Sequence, residues 1–165
     1  MSPTHGHSGD VLAYSWANMH ADCMSLASAV KSLGPFSRVL GVSRGGAIPA
    51  VTLAHILEIM TVRYVHLNTY DDSVTSRLQN ADDVEAFFAV SEPIPEWDSS
   101  ETLIVDDVYD TGFTMDALHQ VLPKARKAVL LHKKKPPGWL SSVQEVPEKT
   151  WIIFPWEKYT ISDVI

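Results

Sequence analysis

Glu101-Thr-Leu-Ile-Val-Asp106-Asp107-Val-Tyr-Asp110-Thr111-Gly112-Phe-Thr114 is the stretch whose reading decides the fold. Thr102 to Val105 is too short for a helix and rich in branched apolar side chains, which predicts a buried strand. Two adjacent carboxylates, Asp106 and Asp107, stand where that strand is expected to end. Asp110, Thr111 and Gly112 make a turn. From Thr114 to Leu122 the spacing of Met115, Leu118 and Leu122 predicts a helix with one apolar face. The unit is therefore strand, acids, turn, helix. In open α/β sheets ligands bind at the carboxyl ends of strands. The free N–H groups of a helix N-terminus accept phosphate. One end of the stretch can hold an anion, and the acids can hold hydroxyls or a metal.

Outward from this unit, Arg38–Val42 predicts a short strand, Ser43-Arg44-Gly45-Gly46 a tight turn, and 47–58 a helix apolar nearly all round and hence buried. Glycines let backbone N–H groups approach a phosphate, and Arg44 adds a fork of donors. The spacing matches neither a Walker A loop nor a G-x-G-x-x-G fingerprint. Upstream, residues 15–33 predict an amphipathic helix whose face carries Trp16, Met19, Cys23, Leu26, Ala27 and Val30. Gly34-Pro35 ends it. Cys23 lies on that apolar face and reads as core. Residues 63–69 predict another strand, and residues 82–88 a short helix. Between about 71 and 100 the chain is polar, contains Arg77, Pro93 and Pro95, and is long enough to be a lid or a disordered loop. Residues 127–132 predict a strand, and Lys133 comes directly off it. The apolar run 150–156 predicts a strand that closes the core. Residues 1–10 read as a disordered tail and 11–165 as one domain.

Composition narrows the function. The 165 residues are one domain's length, and 45% hydrophobic content supports a core. No apolar run approaches the ~18 residues of a membrane span. The first ten residues carry no apolar core, so no secretory signal is expected there. A single cysteine allows no internal disulfide and fits the cytoplasm. A net charge of −7 argues against a nucleic-acid binder with a general basic surface, but permits an anionic substrate where positive charge is focused locally.

Ile104-Val-Asp-Asp-x-x-Asp-Thr-Gly-x-Thr114 resembles the phosphoribosyl-diphosphate (PRPP) signature of the type I phosphoribosyltransferases. A receiver-like strand that ends in acids lacks the downstream Asp-Thr-Gly-x-Thr. Val42-Ser-Arg-Gly-Gly46, the Tyr70-Asp71 pair and Val146-Pro-Glu-Lys-Thr-Trp151-Ile152 with Pro155-Trp156 are similar to the bacterial 6-oxopurine branch that uses xanthine and guanine. The resemblance covers about residues 12 to 157, with an insertion between Arg77 and Thr102. It departs at Phe113, where relatives have glycine, and at 133–135, three lysines where one is expected.

The resemblance implies an α/β fold: a mostly parallel five-stranded sheet flanked by helices, with a small hood from the terminal segments and a lid-like segment near 71–100. It implies transfer of a phosphoribosyl group from PRPP to guanine, xanthine or hypoxanthine, with Mg2+ as cofactor. Ser43, Arg44, Gly45 and Gly46 would hold the pyrophosphate, with a non-proline cis peptide at Ser43–Arg44, and Arg77 would reach PRPP from the lid. Asp106 and Asp107 would hold the ribose hydroxyls, with Asp107 the metal contact. Thr111, Gly112, Phe113 and Thr114 would cradle the 5′-phosphate, and Asp110 would be the general base. Lys133 would donate to the 6-oxo group, Trp151 would stack on the purine and Ile152 would meet its other edge. Relatives are dimers or tetramers, so a homo-oligomer is expected. The alternatives are an enzyme of the same fold for another nucleobase, and a regulator that senses PRPP without catalysis.

Overall fold

The computed structural model describes residues 10–67, 88–89 and 94–157. Its elements follow the expected strand–helix order. They are β1 (Val11–Ala13), α1 (Trp16–Val30), β2 (Arg38–Ser43), α2 (Ala47–Ile56), β3 (Thr61–Leu67), β4 (Phe88–Ala89), β5 (Thr102–Tyr109), α3 (Phe113–Val121), β6 (Arg126–His132), β7 (Leu140–Glu145) and β8 (Trp151–Ile153). The main sheet has the order β4-β3-β2-β5-β6-β7. Five of its strands are parallel, and the two-residue β4 joins antiparallel at the edge. Parallel neighbours require crossovers: α2 provides that from β2 to β3 and α3 that from β5 to β6, while residues 133–139 pass from β6 to β7 without a helix. A separate two-stranded sheet pairs β1 with β8, so residues 11–13 meet residues 151–153.

The side chains of β5 alternate between two cores, as a strand covered on both faces must. Leu103 and Val105 face α1 and α2, with Val39, Ala50, Leu53, Ala128 and Leu130. Ile104 faces α3, with Leu40, Val42, Val129, Met115 and Leu118. This accounts for the unbroken apolar run at 103–105. The second core is completed by Trp97, which is buried on a short helical turn, Ile94–Trp97. Residues 94–100 are fastened to the body there: Arg38 donates to the Glu96 carbonyl at 3.1 Å, and the Lys124 N–H donates to Asp98 at 2.7 Å.

Helix α1 begins at Ser15, whose hydroxyl accepts from the Asn18 N–H while the Asn18 side chain accepts from the Ser15 N–H. Its buried face is Met19, Cys23, Leu26, Ala27 and Val30, so Cys23 is core as expected. Trp16 is not core. It is 53% exposed and lies 6.0 Å from the ring of Trp156, because it occupies the first turn, beyond the edge of the sheet core. Helix α2 is likewise less enclosed than its composition predicts. Ile48 and Val51 are exposed, because only one side of the helix meets the sheet. Phe88, placed at the end of a helix by the sequence reading, is in β4, where its backbone pairs with Leu67. The rest of that segment, 82–87, lies outside the described residues, as do the 1–9 tail and the greater part of the lid-like segment. Strand β7 went unread: Leu140-Ser-Ser-Val-Gln-Glu carries too few apolar residues to announce a strand, and its pairing with β6 is what makes it one.

Candidate active site

The site forms where β2 and β5 part. Their pairing runs from Arg38–Thr102 to Gly41–Val105 and stops there. Strand β5 continues to Tyr109 on β6 alone, with Asp107 skipped between the Asp106–Val129 and Val108–Leu131 pairs. The acids therefore lie inside the strand, not at its end, and the strand is longer than the sequence reading. From β2 the chain moves outward to β3, and from β5 it moves outward the other way to β6. The crevice between β2 and β5 is thus the switch point of the sheet, where ligands bind in open α/β folds.

The turn after β2 closes one side of the crevice. The Ser43–Arg44 peptide bond is cis, as the resemblance implied. The turn is folded by the Gly46 N–H on the Val42 carbonyl at 2.8 Å and the Ala47 N–H on the Arg44 carbonyl at 3.1 Å. It is pressed against the acids. A Cβ on Gly45 would overlap the Asp107 carboxylate, and one on Gly46 would come within 2.5 Å of the Val105 carbonyl oxygen. Only glycines allow this approach.

Asp106 and Asp107 each turn a carboxylate oxygen back on the chain. Asp106 accepts from the Asp107 N–H at 2.9 Å and Asp107 from the Val108 N–H at 2.7 Å. Burial, with the neighbouring charge of Asp107, raises Asp106 well above the ordinary carboxylate range. Burial also raises Asp107 to about 6, and the charge of Glu157 adds to the rise. The two adjacent carboxylates, Asp106 buried and Asp107 half-buried, concentrate negative charge at one place in the crevice. Hard oxygen donors of this kind suit magnesium, which takes one or two protein carboxylates and completes its shell with substrate oxygens and water. Among the described residues no group of three or more His, Cys, Asp or Glu encloses a metal. Two carboxylates are a number of protein ligands that magnesium commonly takes, so the residues present fit that ion.

The turn after β5 closes the other side. Gly112 has φ +94°, a left-handed conformation that strains any side chain, and it stands where α3 begins. The Phe113 N–H approaches the Thr111 hydroxyl at 3.4 Å, and a cavity of about 60 Å³ opens over residues 108–115. Beneath it the Tyr109 hydroxyl donates to Asp116 at 3.0 Å. Burial, and then that bond, raise Tyr109 to about 12.

Asp110 is half exposed at the mouth of this turn and forms an ion pair with Lys133 at 3.0 Å. The Lys133 side chain is only 10% exposed, and its N–H is fixed to the Tyr109 carbonyl at 2.9 Å. Lys133 therefore turns inward, while Lys134 and Lys135 follow on the surface. Ile152 is buried and Trp151 half-buried on β8, and the Trp151 N–H donates to the Asp10 carbonyl at 2.8 Å. Beyond β8 the Phe154 and Trp156 rings stack at 4.8 Å, and the Phe154 N–H donates to Glu157 at 3.0 Å. Glu157 was missed by sequence reasoning. Its only signal was an acid directly after an apolar run, and the approach of its charge to Asp107 is a product of folding. Arg77 lies outside the described residues. A larger cavity, about 570 Å³, sits at the amino ends of β2 and β3, lined in part by Met24, Phe36, Ile56 and Leu57. It contains none of the site residues.

The family model of the phosphoribosyl transferase domain matches residues 14–158. The chain belongs to this family. It is 29% identical over 144 residues to a xanthine-guanine phosphoribosyltransferase of Desulfotalea psychrophila, covering 87% of this chain and 84% of the relative. Its fold matches the crystal structure of a purine phosphoribosyltransferase from Pyrococcus horikoshii with TM-score 0.69 and 24% identity, over 93% of this chain and 97% of the other. It also matches a xanthine-guanine-hypoxanthine phosphoribosyltransferase of Helicobacter pylori with TM-score 0.66 and 21% identity, over 90% and 94%. The five parallel strands and flanking helices are thus the phosphoribosyltransferase fold. Among the described residues no helix is long and apolar enough to cross a membrane.

Proposed function

We propose that this phosphoribosyltransferase moves the 5-phosphoribosyl group of PRPP to guanine, xanthine or hypoxanthine, releasing pyrophosphate and forming the nucleoside monophosphate in cytoplasmic purine salvage. The observation that carries the reading is the placement of two glycine turns on opposite sides of the buried Asp106–Asp107 pair, with the Lys133–Asp110 ion pair alongside. A molecule with a phosphate at one end and a pyrophosphate at the other, joined by a sugar with two hydroxyls, matches that spacing of groups.

On this reading, Ser43, Arg44, Gly45 and Gly46 bind the pyrophosphate, with Arg77 reaching in from its own segment. Thr111, Gly112, Phe113 and Thr114 take the 5′-phosphate on the open N–H groups of α3. Asp106 and Asp107 hold the ribose hydroxyls, and Asp107 is the metal contact. Magnesium, when bound there, neutralises part of the charge on the departing pyrophosphate. Lys133 carries three donors, so it can turn one toward a purine 6-oxo oxygen. Asp110 is then free to accept the proton from the imidazole nitrogen that attacks the sugar. Its charge also lies where positive character develops on the ribose. Trp151 stacks on the purine, and Ile152 borders its other edge.

The paired β1 and β8 form the hood. A homo-oligomer is part of the proposal, supported by the apolar side chains that α2 and β3 leave exposed, Ile48, Val51 and Tyr64. The test of function is a product assay with PRPP, magnesium and each of guanine, xanthine, hypoxanthine, adenine and uracil. At least one 6-oxopurine is turned over, with adenine slower by ~100-fold or more, since an amino group leaves the buried Lys133 donor unmatched. Equal rates with adenine overturn the base assignment.

A further inference from the structure

Ser43 and His66 are register partners at the carboxyl ends of β2 and β3. Partners on parallel strands point to the same face about 4.8 Å apart. Here Ser43 Oγ and His66 Nδ1 approach to 3.3 Å, in a pair open to solvent. Strand β3 flanks β2 on the side away from β5. The imidazole therefore stands on the flank of the 43–46 turn opposite Asp106 and Asp107. The basic side chains on these two strand ends are Arg44 and His66. A pyrophosphoryl group laid over the turn has acids on one side and needs cationic or N–H donors on the other.

We propose that His66 is a further binding residue for the leaving group: Ser43 orients its ring through Nδ1, and Nε2–H donates to a pyrophosphate oxygen of PRPP. The proposal rests on the reaction given above. With the Ser43 hydroxyl as donor to Nδ1 the ring proton lies on Nε2, which is the tautomer the proposal uses to donate outward. The same bond limits rotation of the ring, so little freedom remains to be lost on binding.

The test compares His66→Ala, His66→Gln and His66→Arg with the wild-type protein. Dissociation constants are measured for PRPP and for inorganic pyrophosphate, each with magnesium, and for the nucleoside monophosphate product, which has no pyrophosphate. His66→Ala weakens PRPP and pyrophosphate by about tenfold or more, the scale of a lost charge-assisted bond, and leaves the monophosphate within about twofold. His66→Arg recovers most of the loss, and His66→Gln lies between. Unchanged PRPP and pyrophosphate affinity in His66→Ala overturns the proposal. So does an equal loss for the monophosphate, which is what a structural role produces. A wild-type protein that binds no PRPP and makes no nucleotide overturns the reaction itself. That result is distinct from a working enzyme indifferent to His66.

Discussion

The turn at 43–46 is closed in, and the turn at 110–114 is open. Both follow a parallel strand, lead into a helix and carry glycine. In the first, the glycines have ordinary backbone angles but no space: the Asp107 carboxylate and the Val105 carbonyl occupy the volume a side chain would need. In the second, Gly112 is in the left-handed region, and Asp110 beside it is half exposed. Glycine thus answers close approach alone in one turn, and a left-handed backbone together with close approach in the other. The closed turn can hold a group rigidly against the acids. The open one leaves its aspartate half exposed, in an ion pair with Lys133.

The largest expected effect tests the open turn. Asp110→Asn keeps shape and hydrogen bonding but removes the proton acceptor and the charge. Turnover should fall ~100- to 10,000-fold, with PRPP affinity changed far less. If Asp110 served only the start of α3, turnover would stay within about tenfold. Measuring turnover number and PRPP affinity on this variant decides between the two.

Next comes the closed turn. Gly45→Ala forces either the turn or the Asp107 carboxylate to move, and a displacement near 1 Å costs on the order of 100-fold where groups must meet their ligand. PRPP affinity should fall by about that factor while circular dichroism reports an intact fold. An alanine variant with normal PRPP binding would show that the contact with Asp107 does not matter to the ligand.

Asp107→Asn sharpens the contrast through stability. Burial raises the folded-state pKa of Asp107 to about 6, above its unfolded value near 3.9. Below about pH 4 both states are protonated and nothing is lost. Between about pH 4 and 6 the unfolded chain releases its proton more readily, so stability falls as pH rises, and above about 6 the full cost remains. Removing the charge should therefore stabilise the ligand-free protein at pH 7 by on the order of 2 kcal/mol, with the gain vanishing toward pH 4. Thermal melts across that range check it. A lower melting temperature at pH 7 would mean the carboxylate is held by a favourable charge instead.

The smallest effect belongs to Gly112. Alanine there must adopt φ near +94° with its methyl 2.7 Å from the Tyr109 hydroxyl. A loss of ~1–2 kcal/mol is expected. Gly45→Ala should lower ligand affinity more than melting temperature, and Gly112→Ala the reverse. If the two variants behaved alike, the distinction between the two turns would fail.

Much of this was legible from local pattern. The run 102–105 had to be a buried strand, because four adjacent apolar or branched residues fit only a strand covered on both faces, and β5 is central. The amphipathic period of α1, its stop at Gly34-Pro35 and the core position of Cys23 were equally local. The signature 104–114 and the Ser-Arg-Gly-Gly turn named the family and offered Asp106, Asp107 and Asp110 as candidates, and Lys133 became one by its place directly after a strand.

What folding decided is the set of relations between distant segments. The parting of β2 from β5 after Val105 made the crevice, and no residue in either strand announces where pairing will stop. The pairing of β1 with β8 brought position 11 to position 151, and β6 made a strand of the polar β7. The same distance in sequence hid the Lys133–Asp110 ion pair, the charge of Glu157 on Asp107 and the contact of His66 with Ser43. Sequence determines which groups are available and what backbone they prefer. Only tertiary structure sets their distances across strands, and pairing energies and pKa shifts depend on distance and burial.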